Sequence, residues 1–215
     1  MYYPIECPAR GIDLSFVFDS SGSVGVQNFE LEKDFAINVT RTFSIGPLDT
    51  QIAAIAYSGF ARISFLLDTF NNQSSIISAL GAIEYFDIPG NGRPSTNTAD
   101  ALIRTRQEIF APSGGARDTA LGYPRVTVVV TDGRSNVNRS LTLPSAEALH
   151  DDGVTVFAVG VGRRIDMEEL SNIASSDNFV ILLSQFNLME FVGLQRRISA
   201  EACISKHQIV IDYIF

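Results

Sequence analysis

Asp19, Ser21 and Ser23 fall at alternate positions of IDLSFVFDSSGSVG (12–25), directly after an apolar run that reads as a buried strand. On an extended turn, residues two apart project the same way, so D-x-S-x-S can aim one carboxylate and two hydroxyls at a single cation. Hard oxygen donors of this kind suit Mg²⁺ or Mn²⁺, which prefer octahedral coordination with water in the remaining positions, whereas Zn²⁺ calls for His or Cys. A Ser-Gly-Ser run after a strand is also an ordinary polar turn, so five residues alone do not make a site. More oxygens must come from elsewhere in the chain. Two segments offer them: Ser95-Thr96-Asn97-Thr98, and Asp132 in the Thr-Asp-Gly that ends RVTVVVT (125–131).

Whether these residues meet depends on the elements between them. After the first strand, residues 26–43 place Phe29, Leu31, Phe35, Ile37, Val39 and Phe43 at helical spacing, with Gly46-Pro47 as the stop. Residues 51–57 and 61–67 read as two strands joined at Ser58-Gly59, a hairpin with an antiparallel edge. A short helix over 74–83, a Pro/Gly-rich loop over 88–94 and a helix over 99–110 follow, the last with Thr and Asn as natural caps. RVTVVVT is a continuous apolar run of the kind buried on both faces of a parallel sheet. Helix 144–150, strand 154–161, helix 166–174, strand 178–183 and helix 188–202 complete the alternation. The last helix carries the stripe Leu188, Phe191, Leu194 and Ile198. Strands and helices in this order predict a doubly wound α/β domain, mostly parallel with one antiparallel edge strand and helices on both faces. Such sheets bind ligands outside the carboxyl ends of their strands, where the strand order reverses. Asp19 and Asp132 both fall there, and Thr96 can reach the same edge from its loop.

The composition narrows the function further. In 215 residues, 46% are hydrophobic and 19% charged, an ordinary globular balance for one domain. A net charge of −8 without Lys/Arg clusters argues against nucleic acid and anionic membrane. No apolar run is long enough to span a bilayer, and Met1–Pro8 is too short and polar for a signal peptide. Cys7 and Cys203 bracket the body. Two buried thiols would account for a count of two, but the bracketing placement favours a disulfide and with it an oxidising compartment. Sequons at Asn38, Asn72 and Asn138 are candidate glycosylation sites that agree with export. The tail 208–215 (QIVIDYIF) is β-prone and apolar, and is expected to pack on the body or pair with the N-terminal segment.

Catalysis is disfavoured residue by residue. A phosphatase opening from a strand-terminal Asp needs a second carboxylate two residues on as general acid, and that position is Ser21. A Ser-His-Asp hydrolase needs a histidine at the site; His150 falls at the opposite edge of the sheet and His207 in the tail, both read as surface residues. There is no G-x-x-x-x-G-K-[ST] loop.

The pattern D-x-S-x-S, then T-x-T, then T-D-G, filled here by DSSGS, TNT and TDG, resembles the von Willebrand factor type A domain, also called the integrin I-domain fold, over residues 11–203. The resemblance implies a metal-ion-dependent adhesion site with Mg²⁺ or Mn²⁺ held by Asp19, Ser21, Ser23, Thr96 and Asp132. One coordination position would stay open for an acidic residue of a protein ligand. This chain has Pro94-Ser95 before Thr96 and Ala99 after Thr98 where many members carry glycines, so Thr98 is an alternative to Thr96. FDSSGSVG, the Gly-Ala-Arg loop before RVTVVVTDGRSN and the terminal cysteine pair are most similar to the extracellular-matrix branch, the matrilins and fibril-associated collagens. The expectation is therefore a secreted, non-enzymatic adhesion or matrix-assembly module over 11–203, with a lead-in at 1–10 and a tail at 204–215. Its partner would be a matrix or cell-surface protein, collagen among the candidates. The alternative is a structural assembly domain whose contacts bypass the metal.

Overall fold

The computed structural model describes residues 11–87, 95–132, 134–161 and 165–183. Six strands, β1 (Asp13–Asp19), β2 (Gln51–Tyr57), β3 (Ala61–Phe65), β4 (Arg125–Thr131), β5 (Val154–Val161) and β6 (Val180–Leu183), form one sheet in the order β3-β2-β1-β4-β5-β6. All neighbouring pairs are parallel except the β2–β3 hairpin, whose register slips between Ala54 and Ile55. The chain builds outward from β1 to β3 on one side and returns to lay β4 on the other. The order therefore reverses between β1 and β4, and Asp19 and Asp132 stand at the carboxyl ends of that pair.

Side-chain alternation makes β1 serve two cores. Phe16 and Phe18 enter the layer under α1 (Gly25–Thr40) and α2 (Gln73–Gly81), with Phe29, Phe35, Val39, Ile76 and Leu80. Val17 enters the opposite layer with Ile55, Leu102, Val129, Leu149 and Leu170, beneath α3 (Thr98–Arg104), α4 (Thr142–Asp151) and α5 (Met167–Ile173). All seven residues of β1 are buried, including Asp13, whose carboxylate accepts from Arg117 Nε–H at 2.8 Å and from its backbone N–H at 3.0 Å, with Arg117 Nη2 at ion-pair distance, 2.7 Å. That pairing lets a charged residue start a fully buried strand.

Three expectations shift. α1 ends at Thr40 rather than running to residue 43; Thr42 and Phe43 close tighter turns onto Val39 and Thr40. Helix 99–110 becomes α3 followed by a π turn over Thr105–Ile109. Thr105 donates its hydroxyl back to Ala101 O at 2.8 Å, a bond that competes with the regular backbone ladder. In α1, Leu31 is 38% exposed, whereas Glu32 and Lys33 are buried. Lys33 stretches to the carbonyls of Gly81 and Ile83, both at 3.1 Å, capping the end of α2. Cys7, Cys203, the helix 188–202 and the tail lie outside the described residues. No described helix is long and apolar enough to cross a membrane.

Candidate metal centre

β1 delivers Asp19 at its last position, fully buried. Its Oδ1 accepts the Ser21 backbone N–H at 2.9 Å, and its Oδ2 accepts the Thr131 hydroxyl of β4 at 2.6 Å. The loop then folds tightly, with Val24 N–H donating to Ser21 O at 3.1 Å, and Gly25 enters α1 at φ +69°, a conformation that disfavours other residues. This turn sets the Ser21 and Ser23 hydroxyls 3.0 Å apart, and Ser23 donates to Asp132 Oδ1 at 3.1 Å. Asp19, Ser21, Ser23 and Asp132 thus form one chain of oxygens across the β1–β4 switch point.

Thr96 is tied to this edge through its backbone. Its carbonyl accepts from the Ser135 hydroxyl and from the backbone N–H groups of Asn136 and Val137, at 3.0, 3.0 and 3.1 Å. Its N–H donates to Asn136 Oδ1 at 2.9 Å. None of these bonds uses its side-chain hydroxyl. Thr98 differs: it is fully buried and donates its hydroxyl to Glu169 Oε1 at 3.3 Å, away from the serines. Of the two threonines, Thr96 is the one with an uncommitted side chain.

Two acids were not legible as site residues. Glu32 is fully buried on α1, with Oε2 accepting the Asp19 backbone N–H at 3.1 Å and Oε1 lacking a partner. A Glu-Lys pair on a helix ordinarily reads as solvated; a strict 3.6-residue phase from Phe29 through Ala36 would have put Glu32 and Lys33 on the buried stripe. Glu169 follows Asp166, the α5 cap, in a D-x-x-E pattern that signals a helix start. Its carboxylate instead receives Ser135 N–H at 2.8 and 2.9 Å, pinning the loop beyond Asp132.

The electrostatics are those of an uncompensated anion. Burial pushes the Asp19 carboxyl up to about 6, an effect partly offset by the bonds from Thr131 and Ser21 and reinforced by the charge of Asp132. Glu32 is driven well above the usual carboxylate range, first by burial and then by the charges of Asp19 and Asp132. Among the described residues, no ion pair reaches Asp19 or Glu32. A buried carboxylate normally has a cationic partner or binds a metal. The donors are carboxylates and hydroxyls, and among the described residues no three His, Cys, Asp or Glu side chains gather as a cage. Such a hydroxyl-rich set fits a hard divalent ion that retains water.

The other sequence-level candidates are dispersed. His150 is half-buried at the end of α4, with Nε2 3.1 Å from Ile173 O, so it is a structural contact rather than a free surface group. Asn72 and Asn138 are exposed, the first capping α2 by accepting Ser75 N–H at 2.9 Å; Asn38 is half-buried and accepts from Arg41 at 2.9 Å.

The sequence profile of the von Willebrand factor type A domain matches residues 13–195. The chain is 32% identical over 188 residues to human (Homo sapiens) matrilin-3, covering 86% of this chain and 36% of that protein. It is 32% identical over 180 residues to von Willebrand factor A domain-containing protein 2 of Xenopus laevis, covering 84% and 21%. To the collagen alpha-6(VI) chain of Mus musculus it is 31% identical over 194 residues, covering 90% and 8%, so it corresponds to a part of each relative. Among solved structures, proximal thread matrix protein 1 from the mussel byssus superposes with a TM-score of 0.75 at 28% identity, covering 91% of this chain and 47% of that one. A structure of the same protein with a zinc-occupied MIDAS motif gives 0.74 at 27% identity, covering 92% and 47%. Such a site in that protein accepts zinc, so oxygen donors alone do not exclude the ion. The matched profile, the relatives and a sheet that reverses between Asp19 and Asp132 make this chain a member of the von Willebrand factor type A domain family, in its extracellular-matrix branch.

Proposed function

We propose that this chain is a secreted adhesion or matrix-assembly module, without catalytic activity, that engages a protein ligand through a divalent ion. Mg²⁺ or Mn²⁺ would be held by Asp19, Ser21, Ser23, Thr96 and Asp132. The observation that carries the reading is the buried Asp19 carboxylate, linked by hydroxyls to Asp132 and lacking a cationic partner among the described residues. When bound, the ion supplies a Lewis-acid position at which a ligand carboxylate can complete the coordination shell.

The chain's own groups do the remaining work. Thr131 and the Ser21 N–H fix both oxygens of Asp19, and Ser135 holds the Thr96 carbonyl so that the third segment stays in register. Two carboxylates at most balance a divalent charge, so an acidic ligand group is electrostatically acceptable at the open position. The matrix-protein relatives support an extracellular setting and a protein partner, with collagens as the first candidates. The test is binding to immobilised collagens and other matrix proteins in Mg²⁺, in EDTA, and with Asp132→Ala. Loss of binding under chelation and in the variant is expected. Binding that survives both would leave assembly through metal-independent contacts.

A further inference from the structure

Beside the metal centre lies a cation prepared for a ligand. Arg62, exposed on the edge strand β3, rests its guanidinium against two aromatic rings, with Cζ 4.8 Å from the Phe60 ring centre and 4.4 Å from that of Phe86. The two rings are 6.0 Å apart and tilted by 39°, so they form a seat under the guanidinium. Among the described residues, no carboxylate lies within ion-pair distance of Arg62, although Glu84 lines the same groove. Among the described residues, no hydrogen bond involves the guanidinium, so its fork of N–H donors is uncommitted to them.

The seat is joined to the metal-site loops on both sides. The Ser20 hydroxyl, between Asp19 and Ser21, donates to Phe86 O and accepts from Phe86 N–H, both at 2.6 Å, and the Tyr85 hydroxyl donates to Ser21 O at 3.3 Å. Phe60 belongs to the hairpin turn whose Ser58 carbonyl accepts Asn97 N–H at 2.8 Å, next to Thr96. Beyond Arg62 runs an open groove of about 460 Å³, with Ile63, Phe65, Phe70, Ile83 and Phe86 among its walls.

Resting on the proposed metal-dependent function, we infer that Arg62 is a second anchor for the same ligand, taking an additional carboxylate of an acidic protein segment whose first carboxylate meets the metal. An arginine already stacked on aromatic faces has less side-chain freedom to lose and presents its edge for bidentate pairing. The charge pattern selects the partner class. One cation on a chain of net charge −8 matches a single carboxylate and opposes a sulfated polyanion, which needs a run of basic residues. The apolar groove accommodates side chains adjoining the second acid.

A test uses a library of short fluorescent peptides in which a fixed Asp is joined to a second Asp or Glu at every available spacing, with single-acid versions as controls. Anisotropy in Mg²⁺ compares the native chain with Arg62→Ala and Arg62→Lys, after circular dichroism has shown all three folded. Two-acid peptides of the right spacing should bind the native chain about tenfold or more tightly than Arg62→Ala, because a charged hydrogen-bonded pair is lost. Lysine should restore only part of the difference, and single-acid peptides should not discriminate. A library in which no peptide distinguishes the native chain from Arg62→Ala overturns the inference, as does an Arg62-dependent affinity for heparin exceeding that for every peptide. Chelation separates the two readings: binding that ignores EDTA yet depends on Arg62 removes the metal mechanism and retains the anchor.

Discussion

Protons and divalent metal should compete at Asp19, and the outcome can be followed as stability. The carboxyl is raised from 3.8 to about 6 by burial, so between those values the folded chain holds a proton that the unfolded chain has released. Stability without metal is therefore fullest at low pH with respect to this group, declines as pH rises from about 4 to about 6, and is level above that. A shift of about two pKa units corresponds to about 3 kcal/mol. Glu32, displaced in the same direction, adds to the decline. Divalent ion offsets part of it by holding Asp19 ionised. Millimolar Mg²⁺ at a site of roughly 100 μM affinity adds about 1.4 kcal/mol near neutrality, or about 3–5 °C in Tm for a chain of this size. At about pH 5, with nine-tenths of Asp19 protonated, the apparent affinity falls about tenfold and the gain shrinks to about 0.4 kcal/mol. The assay is thermal and urea unfolding from about pH 4 to pH 8, in EDTA and in Mg²⁺, with Asp19→Asn as control; the variant should lose the metal shift and the Asp19 part of the pH slope, keeping only the part that Glu32 contributes. A metal shift as large at pH 5 as at pH 7.5, or a metal-free stability that does not fall between pH 4 and 6, would refute the reasoning.

Thr96→Ala should weaken Mg²⁺ binding with little loss of stability, whereas Thr98→Ala should destabilise without a direct effect on the ion, because only Thr98 has its hydroxyl committed to Glu169; isothermal titration and urea melts separate the two. Glu169→Ala releases the Ser135 N–H and loosens the loop after Asp132, so Mg²⁺ affinity should fall by about tenfold or more in the same titration. Arg117→Ala leaves the buried Asp13 carboxylate unpaired and should cost about 3–5 kcal/mol in urea unfolding; a loss below about 1 kcal/mol would mean the pair is not what stabilises the start of β1. Non-reducing mass analysis of natively secreted protein should find Cys7 bonded to Cys203, and two free thiols would exclude that bridge.

Local sequence determined the strands and the D-x-S-x-S motif because both are written in residues close together. β2, β4 and β5 fall at the boundaries their apolar runs indicate, and D-x-S-x-S carries its own geometry in alternate positions of one turn. The placement of Asp19 and Asp132 at one edge was also legible, since a strand of a parallel sheet can put its last residue only at the carboxyl end. What needed the tertiary structure was every choice between near-equivalent side chains. Thr96 and Thr98 differ by two positions in sequence; packing against α5 commits the second to Glu169 and leaves the first hydroxyl uncommitted. Glu32 reads as a solvated helix charge until the docking of α1 sets it beneath the Asp19 amide, leaving Leu31 on the exposed side of the helix. The Arg62 seat joins residues from a hairpin, an edge strand and a segment past α2, an adjacency no periodicity encodes. Helix and strand patterns fix which face of an element is apolar, but only the docking of elements on one another sets which polar groups end up sharing a low-dielectric space, and with it their charge and their chemistry.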